Sequence, residues 1–151
     1  MSAVADGRDH HPRSLLSGQQ GAEVAAAARG WIGTPYRHRA ATKGAGCDCL
    51  GLIRGVWREV IGDEPWDVPA YRADGRDAAL AEAAAEWLAP GEFGTGAVLL
   101  FRLYRRLSPR HCAIMVGEGR FIHAQEQIGV VEADLTEAWR RRVAGVFRYP
   151  G

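Results

Sequence analysis

The chain has 151 residues, of which 47% are hydrophobic and 25% charged, and its 19 basic and 18 acidic residues leave a net charge of +1. This composition is ordinary for a globular protein, and the length suits one domain with its own core. A net charge so close to zero excludes a global field that would attract nucleic acid or an anionic membrane. The choice of partner must therefore come from a local site.

The N-terminal residues and the cysteines indicate where the protein is made. Residues 1–14 are polar and predict a flexible arm, followed by a single domain over residues 15–151. No apolar stretch of signal-peptide type opens the chain, and no apolar run reaches transmembrane length. We therefore expect synthesis in the cytoplasm without a signal peptide. The three cysteines, Cys47, Cys49 and Cys112, form no even-numbered disulfide framework and predict free thiols.

The first half of the chain predicts helices. Alanine-rich residues 23–29 follow a capping-box spacing that begins at Ser17, and they predict a first helix that ends in a loop at Gly30–Tyr36. Apolar residues recur at helical spacing from about Cys49 to Ile61 and predict a second, buried helix. Residues 77–88 are again alanine-rich and predict a third helix, which Pro90-Gly91 would end.

The second half predicts short strands joined by glycine-containing turns. Gly117-Glu118-Gly119 separates two of the apolar runs and predicts a hairpin. The predicted strands are residues 97–101, 112–116, 120–124, 129–132 and 143–149, with a short helix over residues 135–142 before the last strand. Helices followed by a small antiparallel sheet predict an α+β domain.

One short stretch is suited to nucleophilic chemistry. Asp48 is a favourable N-cap residue, so the second helix would begin at Cys49, after a flexible glycine-containing lead over residues 43–46. A helix N-terminus carries a partial positive charge and free N–H groups, which favour a thiolate and can stabilise an oxyanion. Cys47 and Cys112 lack this position. The alternative for Cys49 taken alone is a small buried cysteine at the start of a core helix.

Two histidines are candidates for partners of this cysteine. His111 directly precedes one predicted strand, and His123 lies near the end of the next. A hairpin between these strands would bring both histidines near one edge of the sheet. One imidazole can then act as a base for the thiol while the other orients its ring. The alternative is a pair of structural histidines bonded to backbone groups.

Four segments, in this order along the chain, resemble those of the NlpC/P60 cysteine peptidases. They are Gly33-Thr34-Pro35-Tyr36, similar to the G-x-P-Y segment that helps shape the substrate cleft; Asp48-Cys49-Leu50-Gly51, similar to the D-C-x-G helix entry; His111-Cys112-Ala113-Ile114-Met115-Val116-Gly117, similar to the H-x-x-[IL]-x-x-G strand; and Phe121-Ile122-His123-Ala124, similar to the stretch with the third polar residue. The resemblance implies a papain-like fold, with N-terminal helices packed on a small antiparallel sheet or barrel.

The resemblance also implies an activity. In this family the reaction is hydrolysis of an amide bond in the stem peptide of peptidoglycan, usually between γ-D-glutamate and a diamino acid, through a thioester acyl-enzyme. Carried over, Cys49 is the nucleophile, His111 the general base and acid, and His123 the residue that orients His111. Tyr36 and Asp48 stand where some relatives contact the substrate.

Two departures from the family pattern concern the substrate. Leu50 stands where many relatives have serine, so one contact to the peptide is missing. The segment Arg37-His38-Arg39-Ala40 is more basic than its counterparts, which favours either an acidic stem peptide or a solvated loop.

The single-domain length and the missing secretion signal further resemble phage-type cell-wall peptidases of tail modules, including those of gene transfer agents. We therefore expect tail or baseplate proteins and peptidoglycan as partners, action in the cell wall or periplasm, and no nucleic acid, membrane insertion, metal or other cofactor. The alternatives are a catalytically silent tail component, an N-acetylmuramoyl-L-alanine amidase, or a metal site. The metal site would use Cys47, Cys49, His111 and Cys112, although C-x-C lacks the usual spacing of structural zinc sites.

Overall fold

The computed structural model describes residues 18–65, 78–104, 108–117 and 119–151, so the predicted arm over residues 1–14 lies outside the described part of the chain. The helices are α1 (residues 18–29), α2 (Cys49–Val60), α3 (Ala79–Trp87) and α4 (Glu137–Arg141). Each lies at the position that the sequence predicts. Among these described helices, none combines the length and the apolar character needed to cross a membrane.

A six-stranded antiparallel sheet forms the other layer, with strand order β3-β8-β4-β5-β6-β7. Its strands are β3 (Ala89–Pro90), β4 (Val98–Phe101), β5 (His111–Met115), β6 (Arg120–Gln125), β7 (Gly129–Asp134) and β8 (Val143–Arg148). The five predicted strands are confirmed. The sequence did not predict β3, because a residue pair containing proline is a weak strand signal. Proline is tolerated here since, among the described strands, β3 lies at the edge of the sheet and pairs with β8 alone.

The segment before α2 differs from its prediction. Two short strands, β1 (Ala41–Thr42) and β2 (Gly46–Cys47), form a separate antiparallel hairpin. Its turn includes Gly44 at φ +80°, and the Gly44 N–H donates to the Thr34 hydroxyl at 3.0 Å. The predicted flexible lead is therefore wrong, and this segment is a hydrogen-bonded turn tied to a neighbouring loop.

Helix α2 lies at the centre of the larger core. Its buried face, which includes Leu52 and Val56, packs with α1 and with inward residues of the sheet such as Ile114. A Cβ atom at Gly55 would lie 2.0 Å from the ring of Trp31, so glycine allows this tryptophan to approach the helix. The buried Tyr149, near the end of the chain, donates its hydroxyl to the Ile53 carbonyl of α2 at 2.7 Å.

A second core lies on the opposite face of the sheet. It is built by alternate residues of the central strands, since successive side chains of a strand point to opposite faces. The buried members are Ala97, Leu99, Phe101, Ala113, Met115, Phe121 and Leu135. Trp139 of α4 packs against them. Helices α1 and α2 therefore cover one face of the sheet, and α4 covers part of the other.

Candidate active site

The N-terminus of α2 is fixed by its cap. One carboxylate oxygen of Asp48 accepts a hydrogen bond from the Gly51 N–H at 2.7 Å, and the other accepts one from the Arg39 N–H at 2.7 Å. The first helical residue is Cys49, as predicted from the cap. A Cβ atom at Gly51 would lie 1.8 Å from the Ala40 carbonyl oxygen, so the helix begins in direct contact with this loop.

The loop before the β1–β2 hairpin is hydrogen-bonded to the edge strand β7 of the large sheet. The Gly33 N–H donates to the Val130 carbonyl at 3.0 Å, and the Val130 N–H donates back to the Thr34 carbonyl at 2.9 Å. The Cys47 N–H donates to the Pro35 carbonyl at 3.0 Å. These bonds place the half-buried Tyr36 on the wall of the cleft that contains the cysteine at the start of α2.

The two histidines meet as the hairpin predicts. Strands β5 and β6 pair in the register Ile114 with Ile122, which puts His111 and His123 on the same face as diagonal neighbours. The Nε2 atom of His111 lies 2.7 Å from the Nδ1 atom of His123. His123 is only 3% exposed, whereas His111 is partly exposed.

An aromatic frame surrounds the imidazoles. The ring of His111 stacks on Phe101 at a centroid distance of 6.2 Å, and His123 meets Phe121 edge-on at 4.8 Å. The ring of Trp139 in α4 lies against both imidazoles, with centroid distances of 6.2 Å to His111 and 5.7 Å to His123. The frame limits the rotation of both rings. Its members were not predicted as site residues, because their apolar character indicates only a core and no sequence signal brings α4 to this place.

The cysteine at the start of α2 is the acidic thiol of the site. A hydrogen bond from Cys112 and interactions with His111 outweigh burial and the negative charge of Asp48, and they lower the pKa of Cys49 from 9.0 to about 5. Burial and the neighbouring Cys49 raise the pKa of Cys112, and burial raises that of Cys47 to about 12. One of the three free cysteines is therefore a thiolate at neutral pH. The contact between Cys112 and Cys49 was not predicted from the sequence.

The second histidine is neutral. Burial and the nearby His111 lower the pKa of His123 from 6.5 to about 4. A neutral ring can accept at Nδ1 the hydrogen bond that a protonated His111 donates from Nε2. This leaves Nδ1 of His111 as the nitrogen that can face the thiolate of Cys49. The arrangement can hold a thiolate–imidazolium pair in one orientation.

A cleft of about 330 Å³ joins these groups. Four of the five predicted site residues line it, namely Tyr36, Cys49, His111 and His123. Asp48 is 2% exposed and lies beneath the cleft, where its carboxylate binds backbone N–H groups and lies 3.7 Å from Nδ1 of His38. The observed contacts give Asp48 a capping role, and its contact with substrate stays a prediction.

The metal-site alternative is not supported by the arrangement of the donors. Within residues 18–65, 78–104, 108–117 and 119–151, no group of three or more His, Cys, Asp or Glu side chains is arranged to hold a metal ion. Cys47 and Cys112 are both fully buried members of the larger core. Both sulfur atoms lie within the core, and that of Cys112 is also hydrogen-bonded to Cys49.

Fold and site together define a papain-like α+β domain, in which a cysteine at a helix N-terminus faces a histidine pair from adjacent antiparallel strands. The sequence profile of the NlpC/P60 family matches residues 33–148, and the chain belongs to that family. This match includes all five of the predicted site residues, from Tyr36 to His123.

Relatives and solved structures agree with this assignment. The chain is 30% identical over 120 residues to the γ-DL-glutamyl hydrolase of Bacillus subtilis strain 168, covering 79% of this chain and 27% of that protein. It is 29% identical over 114 residues to the murein DD-endopeptidase MepS/murein LD-carboxypeptidase of Escherichia coli K12, covering 74% of this chain and 54% of that protein. The chain therefore spans about half, or less, of these relatives.

Two solved structures show the same fold. One is the NlpC/P60 domain of the peptidoglycan hydrolase SagA, with a TM-score of 0.58 and 24% identity over 84% of this chain and 97% of that chain. The other is a lipoprotein-like NLP/P60 protein from Staphylococcus aureus subsp. aureus Mu50, with a TM-score of 0.60 and 22% identity over 88% of this chain and 42% of that chain.

Proposed function

We propose that the protein is a cysteine peptidase that hydrolyses an amide bond in the stem peptide of peptidoglycan. The observation that supports this most directly is the contact of the acidic thiol of Cys49 with His111, whose other nitrogen lies 2.7 Å from His123. The proposed nucleophile thus contacts the proposed base, and the base contacts the proposed orienting residue. The names of the relatives, a γ-DL-glutamyl hydrolase and a murein endopeptidase, support the substrate class.

The proposed reaction begins with attack of the Cys49 thiolate on the scissile carbonyl carbon. The oxyanion that forms accepts a hydrogen bond from the Cys49 N–H, which stands at the first position of α2 and has no intrahelical acceptor. The C–N bond then breaks as protonated His111 gives its proton to the leaving amine, and a thioester remains. Neutral His111 next removes a proton from water, which attacks the thioester and releases the new carboxylate and the thiolate.

We propose the bond between γ-D-glutamate and a diamino acid as the target. The relatives' names give three activities, a γ-DL-glutamyl hydrolase, a DD-endopeptidase and an LD-carboxypeptidase, so the similarity alone does not choose the bond. Tyr36 lines the cleft with Cys49, and burial and the charge of Cys49 raise its pKa, so its hydroxyl keeps its proton. The hydroxyl is therefore a donor that can bind a carbonyl oxygen of the peptide beside the reacting centre.

The test is digestion of purified sacculi and of a defined muropeptide, with the fragments identified by mass spectrometry. The wild-type protein should release fragments cut between γ-D-glutamate and the diamino acid, and Cys49→Ala should release none. Cys47→Ser is the matched control, because Cys47 is buried outside the cleft and should keep its activity. Digestion by Cys49→Ala at the normal rate would refute the nucleophile. Fragments with a free N-terminal L-alanine would instead identify an amidase.

We propose, as a separate point, that the protein acts as part of a phage-like tail during penetration of the cell wall. This proposal is supported by the resemblance of the sequence to tail-associated peptidases alone. Mass spectrometry of purified particles should detect the chain at a fixed ratio to tail proteins. A chain found only outside particles would refute the tail role and leave the proposed peptidase unaffected.

A further inference from the structure

Arginines lie at neighbouring ends of three adjacent strands, at the end of the sheet that borders the active site. Arg102 follows β4, and Arg110 and Arg142 precede β5 and β8. The Arg110 N–H donates to the Phe101 carbonyl at 3.0 Å, and the Arg102 N–H donates to the Arg142 carbonyl at 2.9 Å. Because neighbouring strands lie about 5 Å apart, the three residues stand within about 10 Å of one another. Arg110 is also the immediate neighbour of His111.

These three arginines form one wall of the cleft, which we call the arginine wall. All three line the 330 Å³ cleft together with Cys49. Arg102 and Arg142 also line an adjoining cavity of about 370 Å³, to which Arg141 contributes. The positive wall therefore extends from the reacting centre into a second cavity large enough for another substrate residue.

Two of the three arginines, Arg110 and Arg142, have little counter-charge among the described residues. Among the described residues that line the cleft, Glu126 is the one carboxylate. Within the described part of the chain, Arg110 and Arg142 form no ion pair, and the Arg142 guanidinium lies 5.9 Å from the centre of the Trp139 ring. Arg120, at the start of β6, by contrast forms ion pairs with Glu132 and Asp134.

We propose that the arginine wall, Arg102, Arg110 and Arg142, binds a carboxylate of the substrate and makes the enzyme prefer stem peptides with free carboxylates over amidated ones. A guanidinium binds a carboxylate with two parallel hydrogen bonds and a full ion pair, and a neutral carboxamide offers neither. Specificity arises because the amide leaves Arg110 and Arg142 without a counter-charge. The inference rests on the proposed function and adds the chemistry of the substrate to it.

Two carboxylates of the proposed substrate can fill this position, one on the γ-glutamyl residue and one on the diamino acid. The experiment therefore compares three versions of one peptide: both carboxylates free, the glutamyl carboxylate amidated, and the diamino acid carboxylate amidated. We expect kcat/KM to fall at least about tenfold for one amide, which identifies the bound group, since a charge-paired contact is worth roughly that or more.

Variants then assign the preference to residues. Arg110→Gln and Arg142→Gln should raise KM for the peptide with free carboxylates at least about fivefold. Cleavage of the amidated peptide that the wild-type protein cuts poorly should stay nearly unchanged, so the preference for the free acid disappears. Arg142→Lys should keep part of it, since the charge remains. Arg140→Gln is the matched control. It also removes one positive charge close to Arg142, but Arg140 lies in α4 and does not line the cleft.

Binding of the same peptides to Cys49→Ala, measured by calorimetry, separates this inference from the proposed function. Equal cleavage of all three peptides by the wild-type protein, or an unchanged preference in the Arg110→Gln/Arg142→Gln double variant, would overturn the arginine wall and keep the peptidase. Tighter binding of the free acid without cleavage of any peptide by the wild-type protein would overturn the peptidase and keep the arginine wall.

Discussion

Nε2 of His111 lies 2.7 Å from Nδ1 of His123, and this contact defines the proton positions of the site. Because burial keeps His123 neutral, its ring accepts a hydrogen bond and does not compete for the proton that His111 takes from the thiol. In the proposed mechanism His123 is thus a positioning residue, and Nδ1 of His111 is the nitrogen that faces Cys49.

The effect of removing His123 follows from this geometry. His123→Ala should lower kcat by about 10²-fold, within the range of general acid–base effects, because His111 loses the acceptor that orients it. His123→Asn should retain more activity than His123→Ala, since an amide oxygen can accept the same hydrogen bond. KM should change little in both variants. Equal activities of the alanine and asparagine variants would show that the hydrogen bond has no orienting role.

Alkylation should show which thiol is ionised. The rate of Cys49 modification by iodoacetamide should reach half its maximum near pH 5, because the pKa of Cys49 is lowered to about that value. Cys112→Ala should move the midpoint upward by removing the hydrogen bond that contributes most to the lowering. Mass spectrometry of the labelled protein should find Cys47 unmodified at neutral pH, because it is buried and its pKa is raised. A midpoint near 9 in the wild-type protein would contradict the thiolate.

Acid should weaken the fold through His123. The unfolded chain takes up a proton at this residue as the pH falls through 6.5, whereas the folded chain does so only near pH 4. The unfolded state binds more protons in this window, so the free energy of unfolding decreases as the pH falls, by roughly 3 kcal/mol when the window has been crossed. Urea unfolding between pH 7 and pH 4 measures this, and His123→Asn should show a smaller decrease. The same pH dependence in both proteins would assign the loss to other groups.

Two glycines of α2 should resist substitution for steric reasons. Gly55→Ala should lower the free energy of unfolding by about 1–3 kcal/mol, because the added methyl group meets the Trp31 ring. Gly51→Ala should do the same and should also lower activity, since the Ala40 carbonyl would be pushed away from the cysteine-bearing turn. Gly18→Ala in α1 is the control: open space surrounds it, and alanine is the better helix former. Thermal unfolding of the three variants tests the order, and a Gly55→Ala protein as stable as Gly18→Ala would contradict it.

The sequence predicted the helices, five of the six strands of the large sheet and the convergence of cysteine and histidines, because these depend on periodicity, capping and hairpin spacing. It did not predict the arginine wall or the position of Trp139. Arg142 lies in a run of arginines that local patterns present as a solvated face, and only the pairing of β8 with β4 brings it beside Arg102. The hydrogen bond from Cys112 to Cys49 likewise depends on how α2 packs on β5, which no local pattern encodes.

The hydroxyl of Tyr149 anchors the end of the chain to the middle of the cysteine-bearing helix. Removing residues 149–151 would take no group from the cleft. It would, however, remove a buried ring and a hydrogen bond that support α2, the helix that begins at Cys49. A shortened protein should therefore have a lower free energy of unfolding than the full chain, because it loses a core side chain.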